Sequence, residues 1–236
     1  MTASRTAATT RILTVARALG EINDRLVFIG ASVLPLLVDV DHRLSAPRGT
    51  KDVDAVAATT SYVARGKLED ALRTNGFRHA IGSHAGRWHS PTGELFDLSF
   101  ARDHLGSTGS AVDDNAIATA LVLPGVPPIR HVSGTGFLTT KSAAFKDRGL
   151  SAPHDSKDLA DIAVLLVGRP ELVAEVTAAD DATRKLVKEA VVVLLASPSL
   201  PSVLRGHFTS RHPVLPDTPD ELAKETLDVL QRLRSL

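Results

Sequence analysis

The sequence predicts an α/β fold in its N-terminal half, followed by an all-helical C-terminal half. Short β-type runs alternate with helical segments as far as about residue 137, whereas from Leu138 onward only helical periodicity remains. A chain of 236 residues has room for one to two domains. We therefore predict one domain over residues 11–137 and a helical domain over residues 138–236.

The composition excludes several classes of protein. Hydrophobic residues make up 43% of the chain and charged residues 23%, which is ordinary for a globular protein and excludes a disordered or fibrous one. Lys and Arg number 27, as do Asp and Glu, so nucleic acid can be attracted only by a local basic patch. Cysteine is absent, which excludes disulfides and cysteine nucleophiles. No apolar run approaches the roughly 20 residues of a membrane span, so we expect a soluble, cytoplasmic protein without a membrane partner.

Periodicity predicts the elements of both halves. Apolar residues three and four apart indicate helices, strict alternation indicates strands, and the turn-forming tetrapeptide 90–93 predicts a β-hairpin. In the first half we predict helices over 11–22, 31–40 and 62–75, a loop over 41–49, and strands over 26–29, 50–57, 77–81, 87–90, 94–100, 118–123 and 129–132. In the second half we predict helices over 140–147, 156–167, 170–177, 183–196 and 220–236.

Two carboxylates on the predicted strand 50–57 are the most informative feature. Asp52 and Asp54 are two residues apart, so a strand directs both to one face of the sheet. Asp97 stands among apolar residues on the second arm of the predicted hairpin, where a buried charge needs a cation. Three such carboxylates suit Mg²⁺, which prefers oxygen ligands. The alternative is that Asp52 and Asp54 face solvent on an edge strand and that Asp97 pairs with an arginine.

A turn of small residues precedes this strand. Gly30, Ala31 and Ser32 follow the apolar strand 26–29 and lead into a predicted helix. Such a turn lets backbone N–H groups approach a triphosphate, and Ser32 adds a hydroxyl. Taken alone, the tripeptide fits an ordinary tight turn equally well.

The turn and the acidic strand together resemble a known signature. A strand, a small-residue turn, a helix and then Arg48-Gly49-Thr50-Lys51-Asp52-Val53-Asp54 resemble the nucleotidyltransferase superfamily, and the Arg-x-Thr-x-Asp-x-Asp form is similar to its AbiEii/MenT toxin branch. The resemblance implies a nucleotidyltransferase-like mixed sheet with flanking helices, followed by a helical bundle that completes the active site.

A second pattern lies on the helices. Lys141 and Arg148 fall on one helical face, and Lys157, Asp158 and Asp161 cluster at spacings of three and four. This pattern is similar to the downstream motif of AbiEii/MenT-type proteins, which implies that Lys141 and Asp161 belong to the active site, with Arg148 and Asp158 beside them. The alternative is an amphipathic helix pair with weak surface ion pairs.

The resemblance implies a Mg²⁺-dependent enzyme that transfers NMP from an NTP to an acceptor hydroxyl. Its catalytic residues would be Asp52, Asp54, Asp97, Lys141 and Asp161, with the three residues Asp52, Asp54 and Asp97 binding two Mg²⁺ ions. The nucleotide-binding residues would be Gly30, Ala31, Ser32, Lys51, Lys141, Arg148 and Asp158.

The resemblance also implies an acceptor and a biological role. RNA, specifically the 3′ end of tRNA, would be the acceptor of a toxin that a cognate antitoxin protein neutralises. Local basic groups for RNA are Arg65, Lys67, Arg73 and Arg78, or the helix that carries Arg184, Lys185 and Lys188. The rival hypotheses are transfer to a small molecule or a protein hydroxyl, and a non-catalytic member that binds a partner.

Two other signals favour structure over chemistry. His79, His84 and His89 are five residues apart, a spacing that converges on neither a strand nor a helix and so does not predict a zinc site. Trp88 and Phe96 on the hairpin could stack on a base, but we predict that both belong to the core.

Overall fold

The computed structural model describes residues 3–39, 49–58, 61–101, 111–209 and 218–236. Arg48 and most of the predicted loop over 41–49 lie outside these ranges. The described residues within 1–36 and 48–136 form one compact unit, and those within 37–47 and 137–236 form a second. The predicted division into domains over 11–137 and 138–236 stays a prediction, because compactness does not show that either part folds alone.

A seven-stranded mixed sheet is the framework of the first unit. The strands are β1 (Leu26–Ile29), β2 (Asp52–Ala58), β3 (Arg78–His79), β4 (Arg87–His89), β5 (Leu95–Ala101), β6 (Leu121–Leu123) and β7 (Ile129–His131). Their order is β3-β4-β5-β2-β1-β7-β6. β2 pairs with β5 and β1 with β7 in parallel, whereas the other neighbours are antiparallel. The predicted α/β architecture with a mixed sheet is therefore confirmed.

The described residues also form helices, and most of these helices lie in the second unit. They are α1 (Ala3–Leu19), α2 (Leu34–Leu37), α3 (Tyr62–Thr74), α4 (Ala111–Ala118), α5 (Gly134–Arg148), α6 (Lys157–Gly168), α7 (Leu172–Ala178), α8 (Asp181–Leu195), α9 (Leu200–Thr209) and α10 (Thr218–Arg234). Within its described residues, the regular elements of the second unit are all helices and none is a strand, as its periodicity predicts.

The alternation of β2 sets the position of its carboxylates. Val53 and Ala55 are fully buried on one face of the sheet, while Asp52 and Asp54 point to the other and are half-buried. On the neighbouring β5, Phe96 is buried and packs edge-on against Phe77, with ring centroids 5.6 Å apart. This apolar layer anchors both strands, so their polar residues are held at defined positions on the opposite face.

In the second unit, α6 is the central helix. Every residue from Asp158 to Gly168 is buried, and α9 and α10 pack against the helix. The Ser156 hydroxyl caps its N-terminus by accepting a hydrogen bond from the backbone N–H of Leu159. A helix buried on all sides is where ionisable residues need partners.

Several elements differ from the sequence predictions. The helix predicted over 31–40 is reduced, within the described residues, to the single turn α2, and the strand predicted over 77–81 pairs only at Arg78 and His79. α4 and α9 were not predicted. Part of the strand predicted over 118–123 is the last residue of α4, because alanine suits a helix better than a strand.

No single helix within the described ranges combines the length and apolar character of a membrane span, whereas α8 and α9 together, bent by 89°, meet both criteria on length and composition alone.

Candidate active site

The structure brings together the three carboxylates that the sequence singles out. Asp54 on β2 lies directly beside Asp97 on the parallel strand β5, and Asp52 is two residues earlier on the same face of β2. One oxygen from each of Asp52, Asp54 and Asp97 lies within 4.8 Å of the other two, and all three residues are half-buried. We call these residues the carboxylate cluster. The predicted convergence of acidic groups from separate strands is therefore confirmed.

The geometry of the cluster fits a divalent cation. Mg²⁺ holds oxygen ligands at 2.0–2.1 Å in an octahedron, so two bound oxygens lie about 2.9 Å apart when adjacent and about 4.2 Å apart when opposite. Only one pair among three ligands can be opposite, so oxygens within 4.8 Å of one another need to close by up to about 2 Å to share one ion. The three carboxylates would therefore have to draw together around an ion.

The small-residue turn lies against this cluster. Ile29, the last residue of β1, pairs with Asp54, which places Gly30 beside the Asp54 carboxylate. Gly30 has φ +74°, and a Cβ atom built on it would overlap the carboxylate and lie 2.8 Å from its Cγ atom. Only glycine satisfies both the backbone conformation and the close approach.

The other residues of the turn are less open than a phosphate cradle requires. Ala31 and Ser32 are 6% and 3% exposed, and the Ser32 hydroxyl is directed at the carbonyl of Ile29 at 3.4 Å. The helix that follows is only four residues long, so its dipole contributes little. Lys51 is exposed beside β2. The nucleotide-binding roles of these three residues stay predictions.

Arg87 also belongs to the site, although none of the sequence motifs indicates it. Its Nε atom donates to Asp97 Oδ1 at 2.8 Å, and its Nη2 atom donates to Asp97 Oδ2 at 2.6 Å and to Asp52 Oδ2 at 3.1 Å. Hydrogen bonding to Asp97 outweighs the effect of burial and, with the charges of the cluster, raises the pKa of Arg87 above its usual value. The arginine partner that the alternative hypothesis gave to Asp97 is therefore present, and it lies within the predicted metal site.

The hairpin register contains the signal that could have found this arginine. Trp88 lies opposite Phe96 across the turn, and one step further Arg87 lies opposite Asp97. The same pairs follow when Ser90 faces Glu94, the adjacent ends of the strands predicted over 87–90 and 94–100, as it does in the structure. Counting residues 90–93 as a four-residue turn would instead set Arg87 opposite Phe96. Both Trp88 and Phe96 are buried, as predicted, with 1% and 0% exposure.

The second pattern forms a buried cluster within the helical unit. Lys141 Nζ lies 3.0 Å from Asp158 Oδ1 and 2.9 Å from Asp161 Oδ2, and Arg148 donates to both oxygens of Asp158 at 2.8 and 3.1 Å. We call these four residues the ion-pair network. Lys141, Asp158 and Asp161 are 8%, 4% and 0% exposed, so their contacts are not the surface ion pairs of the alternative hypothesis. Lys157, in contrast, is exposed.

The network controls the ionisation of Asp158. Burial opposes the charged form, but hydrogen bonds from Arg148 and the charge and hydrogen bond of Lys141 outweigh it, so the pKa of Asp158 lies below its usual value. Asp158 is therefore an anion at neutral pH, and it fixes both cations of the network in place.

The remaining candidates lie on the surface. Arg73 pairs with Glu69 and Asp70, and Arg65 pairs with Glu69, so two of the basic groups considered for RNA already have acidic neighbours. Among the three histidines, His84 lies 3.5 Å from Asp97 Oδ2, and His79 stacks on Trp88. Within the described residues, the group with metal-ligand spacing is the carboxylate cluster, which contains no histidine.

Comparisons with known proteins give structural likenesses only. No protein-family model matches the chain, and no curated protein matches it in sequence. Among solved structures, an antigenic nucleotidyltransferase-like protein from Paracoccidioides brasiliensis is 18% identical, with a TM-score of 0.49 over 83% of this chain and 92% of that one. The antibiotic-resistance factor ANT(2'')-Ia is 15% identical, with a TM-score of 0.42 over 75% of this chain and 89% of that one. Both likenesses are loose, so the chemistry of this chain has to be inferred from its own side chains.

Proposed function

We propose that the protein is a metal-dependent nucleotidyltransferase that transfers NMP from an NTP to an acceptor hydroxyl, with the α–β phosphoanhydride bond broken and pyrophosphate released. The observation that carries the proposal is the carboxylate cluster lying against the Gly30 turn. Three carboxylates on adjacent strands suit divalent cations, and a glycine turn packed against one of them lets a polyphosphate approach the protein backbone. A surface cluster of acidic residues that binds no ion would not require a glycine turn packed against one of its carboxylates.

Asp52, Asp54 and Asp97 would hold the ions, with two Mg²⁺ ions as the proposed complement. Ions bound there would offset the charge of the triphosphate and lower the pKa of the attacking hydroxyl. β2 and β5 keep the backbones of the three residues in register, so the carboxylates already share one face of the sheet before an ion arrives. Gly30 keeps the turn close to Asp54.

The ion-pair network is proposed to bind the phosphates of the nucleotide. Asp161 orients Lys141, and Asp158 positions both Lys141 and Arg148. Arg148 extends outward, with 68% of its side chain exposed, which suits contact with a nucleotide from solution.

RNA, with the 3′ end of tRNA as the site of transfer, is the proposed acceptor. The support for it is the AbiEii/MenT-like Arg-x-Thr-x-Asp-x-Asp pattern at residues 48–54 together with the Lys-Asp-x-x-Asp pattern at residues 157–161. The same resemblance underlies a role as the toxin of a toxin–antitoxin pair. With equal numbers of acidic and basic residues, binding to RNA should be modest and sensitive to salt.

A label-transfer assay tests the proposal. The protein is incubated with Mg²⁺, each α-³²P-labelled NTP and either total tRNA or a mixture of hydroxylated small molecules, and γ-³²P-labelled NTP is run in parallel. Nucleotidyl transfer labels the acceptor from the α-phosphate and not from the γ-phosphate. Asp54→Asn should abolish labelling, whereas Asp24→Asn, which changes an exposed aspartate of the same unit, should not.

The outcomes separate the rival hypotheses. Label on tRNA alone supports the toxin hypothesis, and label on a small molecule or on protein corrects the acceptor while keeping the reaction. The absence of label from any acceptor, together with no binding of NTP and Mg²⁺, would identify a non-catalytic member and overturn the proposal.

A further inference from the structure

The guanidinium group of Arg87 lies between two carboxylates of the cluster. Its Nη2 atom bridges Asp97 Oδ2 and Asp52 Oδ2 at 2.6 and 3.1 Å, and its Nε atom binds the second oxygen of Asp97. Asp97 is thus engaged through both of its oxygens in a forked pair, the strongest form of arginine–carboxylate contact. A metal ion using the same oxygens would meet a positive charge at contact distance.

The backbone of Arg87 is fixed, so only its side chain can yield. Arg87 pairs directly with Asp97 across the β4–β5 hairpin. Gly86 precedes it, and a Cβ atom there would lie 2.5 Å from the carbonyl oxygen of Leu98, so the two strands meet closely at this point. The Arg87 side chain itself is 27% exposed, which leaves it a direction in which to leave the cluster.

The charges explain why an arginine belongs here. Three carboxylates within 4.8 Å of one another repel each other strongly when no cation is present. Arg87 offsets one of the three charges and joins β2 to β5 through Asp52 and Asp97. A divalent cation offsets two charges and binds the same oxygens. The guanidinium group and the metal ion therefore compete for the same carboxylate oxygens.

We propose that Arg87 is an exchangeable counter-ion of the carboxylate cluster. Without a divalent cation, its guanidinium holds Asp52 and Asp97 together; when the cation binds, the guanidinium leaves Asp97. The metal affinity of the cluster is therefore set by the cost of breaking the Arg87 contacts. This inference rests on the metal site of the proposed function, and it adds a residue that weakens metal binding.

Metal binding in the absence of nucleotide tests the inference. The chelator-treated full-length protein is titrated with Mn²⁺ alone, and free Mn²⁺ is measured by electron paramagnetic resonance. Arg87→Gln removes the competing charge, while Arg78→Gln removes an exposed arginine from the adjacent strand β3 and leaves the cluster intact. Arg87→Lys is the second variant. Lysine keeps the positive charge that supports the fold but cannot form the forked pair with both oxygens of Asp97.

We expect Arg87→Gln to bind Mn²⁺ about tenfold or more tightly than the unaltered protein, with Arg87→Lys between them and Arg78→Gln unchanged. Without metal, Arg87→Gln should melt at a lower temperature than the unaltered protein, and saturating Mn²⁺ should remove most of that difference. The gain in affinity together with the loss of metal-free stability is the signature of an exchange.

Equal or weaker Mn²⁺ affinity in both Arg87 variants would overturn the inference and leave the proposed function standing, provided that Asp54→Asn still abolishes binding. A failure of the unaltered protein and of every variant to bind Mn²⁺ would overturn both. If Arg87→Gln does not fold, the affinity of Arg87→Lys decides the question alone.

Discussion

The contact between Gly30 and Asp54 gives the sharpest prediction, tested by Gly30→Ala. Gly30 has φ +74°, and an added Cβ atom would lie 2.8 Å from Asp54 Cγ, where ordinary contacts begin at 3.4 Å. The carboxylate carbon must therefore retreat by about 0.6 Å, which exceeds the tolerance of roughly 0.2 Å for a metal ligand. We expect Mn²⁺ affinity to fall by at least about tenfold, as for other changes that misplace a ligand.

Gly93→Ala is the matched control for this substitution. Gly93 has φ +87°, and a Cβ atom built on it meets no atom within 4 Å. Both variants pay for the left-handed backbone, about 1–2 kcal/mol, but only Gly30→Ala adds a clash, about 1–3 kcal/mol more. Differential scanning calorimetry should therefore show a Tm lower by roughly 5 °C for Gly30→Ala than for Gly93→Ala.

Equal behaviour of the two glycine variants would contradict this prediction. If Gly30→Ala and Gly93→Ala lose equal stability and both keep full Mn²⁺ affinity, then the Gly30 turn does not constrain the Asp54 carboxylate. The link between the small-residue turn and the metal site would then be lost.

Three further predictions concern the ion-pair network and the core. Lys141→Met leaves the buried Asp158 and Asp161 without their shared cation and should lower the free energy of unfolding in urea by about 3–5 kcal/mol. Lys188→Met, at an exposed position, should lower it little. Equal losses of stability in the two variants would contradict the ion-pair network. The pKa of Asp158 is lower in the folded protein, so its contribution to stability is present above the unfolded pKa of about 3.9 and is lost as pH falls through the folded value. Asp158→Asn should therefore lose less stability than the unaltered protein as the pH falls below about 4. Parallel pH profiles of stability for the two proteins would contradict this. Phe96→Ala, at a fully buried site, should cost about 3–5 kcal/mol by the same urea assay, and a loss below about 1 kcal/mol would show that the site collapses freely.

The part of the site that could be predicted follows from strand periodicity. Alternation along β2 placed Asp52 and Asp54 on one face, and the hairpin signal at residues 90–93 placed Asp97 on a strand of its own. The parallel pairing of β2 with β5, which brings Asp97 beside Asp54, depends on packing between segments far apart in sequence. Only a resemblance to known proteins could suggest that pairing in advance.

The parts that were missed have local physical causes. The helix expected from residue 31 shrinks to one turn within the described residues, because a short apolar segment carries no periodicity that separates a helix from a buried turn. The alternative hypothesis gave Asp97 an arginine partner but did not identify it, and the observed hairpin register places Arg87 opposite Asp97. Helical spacing grouped Lys157 with Asp158 and Asp161, but the lysine that pairs with both carboxylates is Lys141 of α5, and Lys157 is exposed. Spacing along one helix reveals neither burial nor a partner on another helix.

The central claim is that the carboxylate cluster binds a divalent cation for nucleotidyl transfer. The most direct measurement is anomalous diffraction from crystals grown with Mn²⁺ and a non-hydrolysable NTP analogue. We predict a Mn²⁺ peak within about 2.3 Å of carboxylate oxygens of Asp52 and Asp54, which is the Mg²⁺–oxygen distance with a tolerance of about 0.2 Å. The Arg87 guanidinium should no longer lie on Asp97. A bound analogue without a Mn²⁺ peak at the cluster, and with Arg87 still paired to Asp97, would contradict the claim.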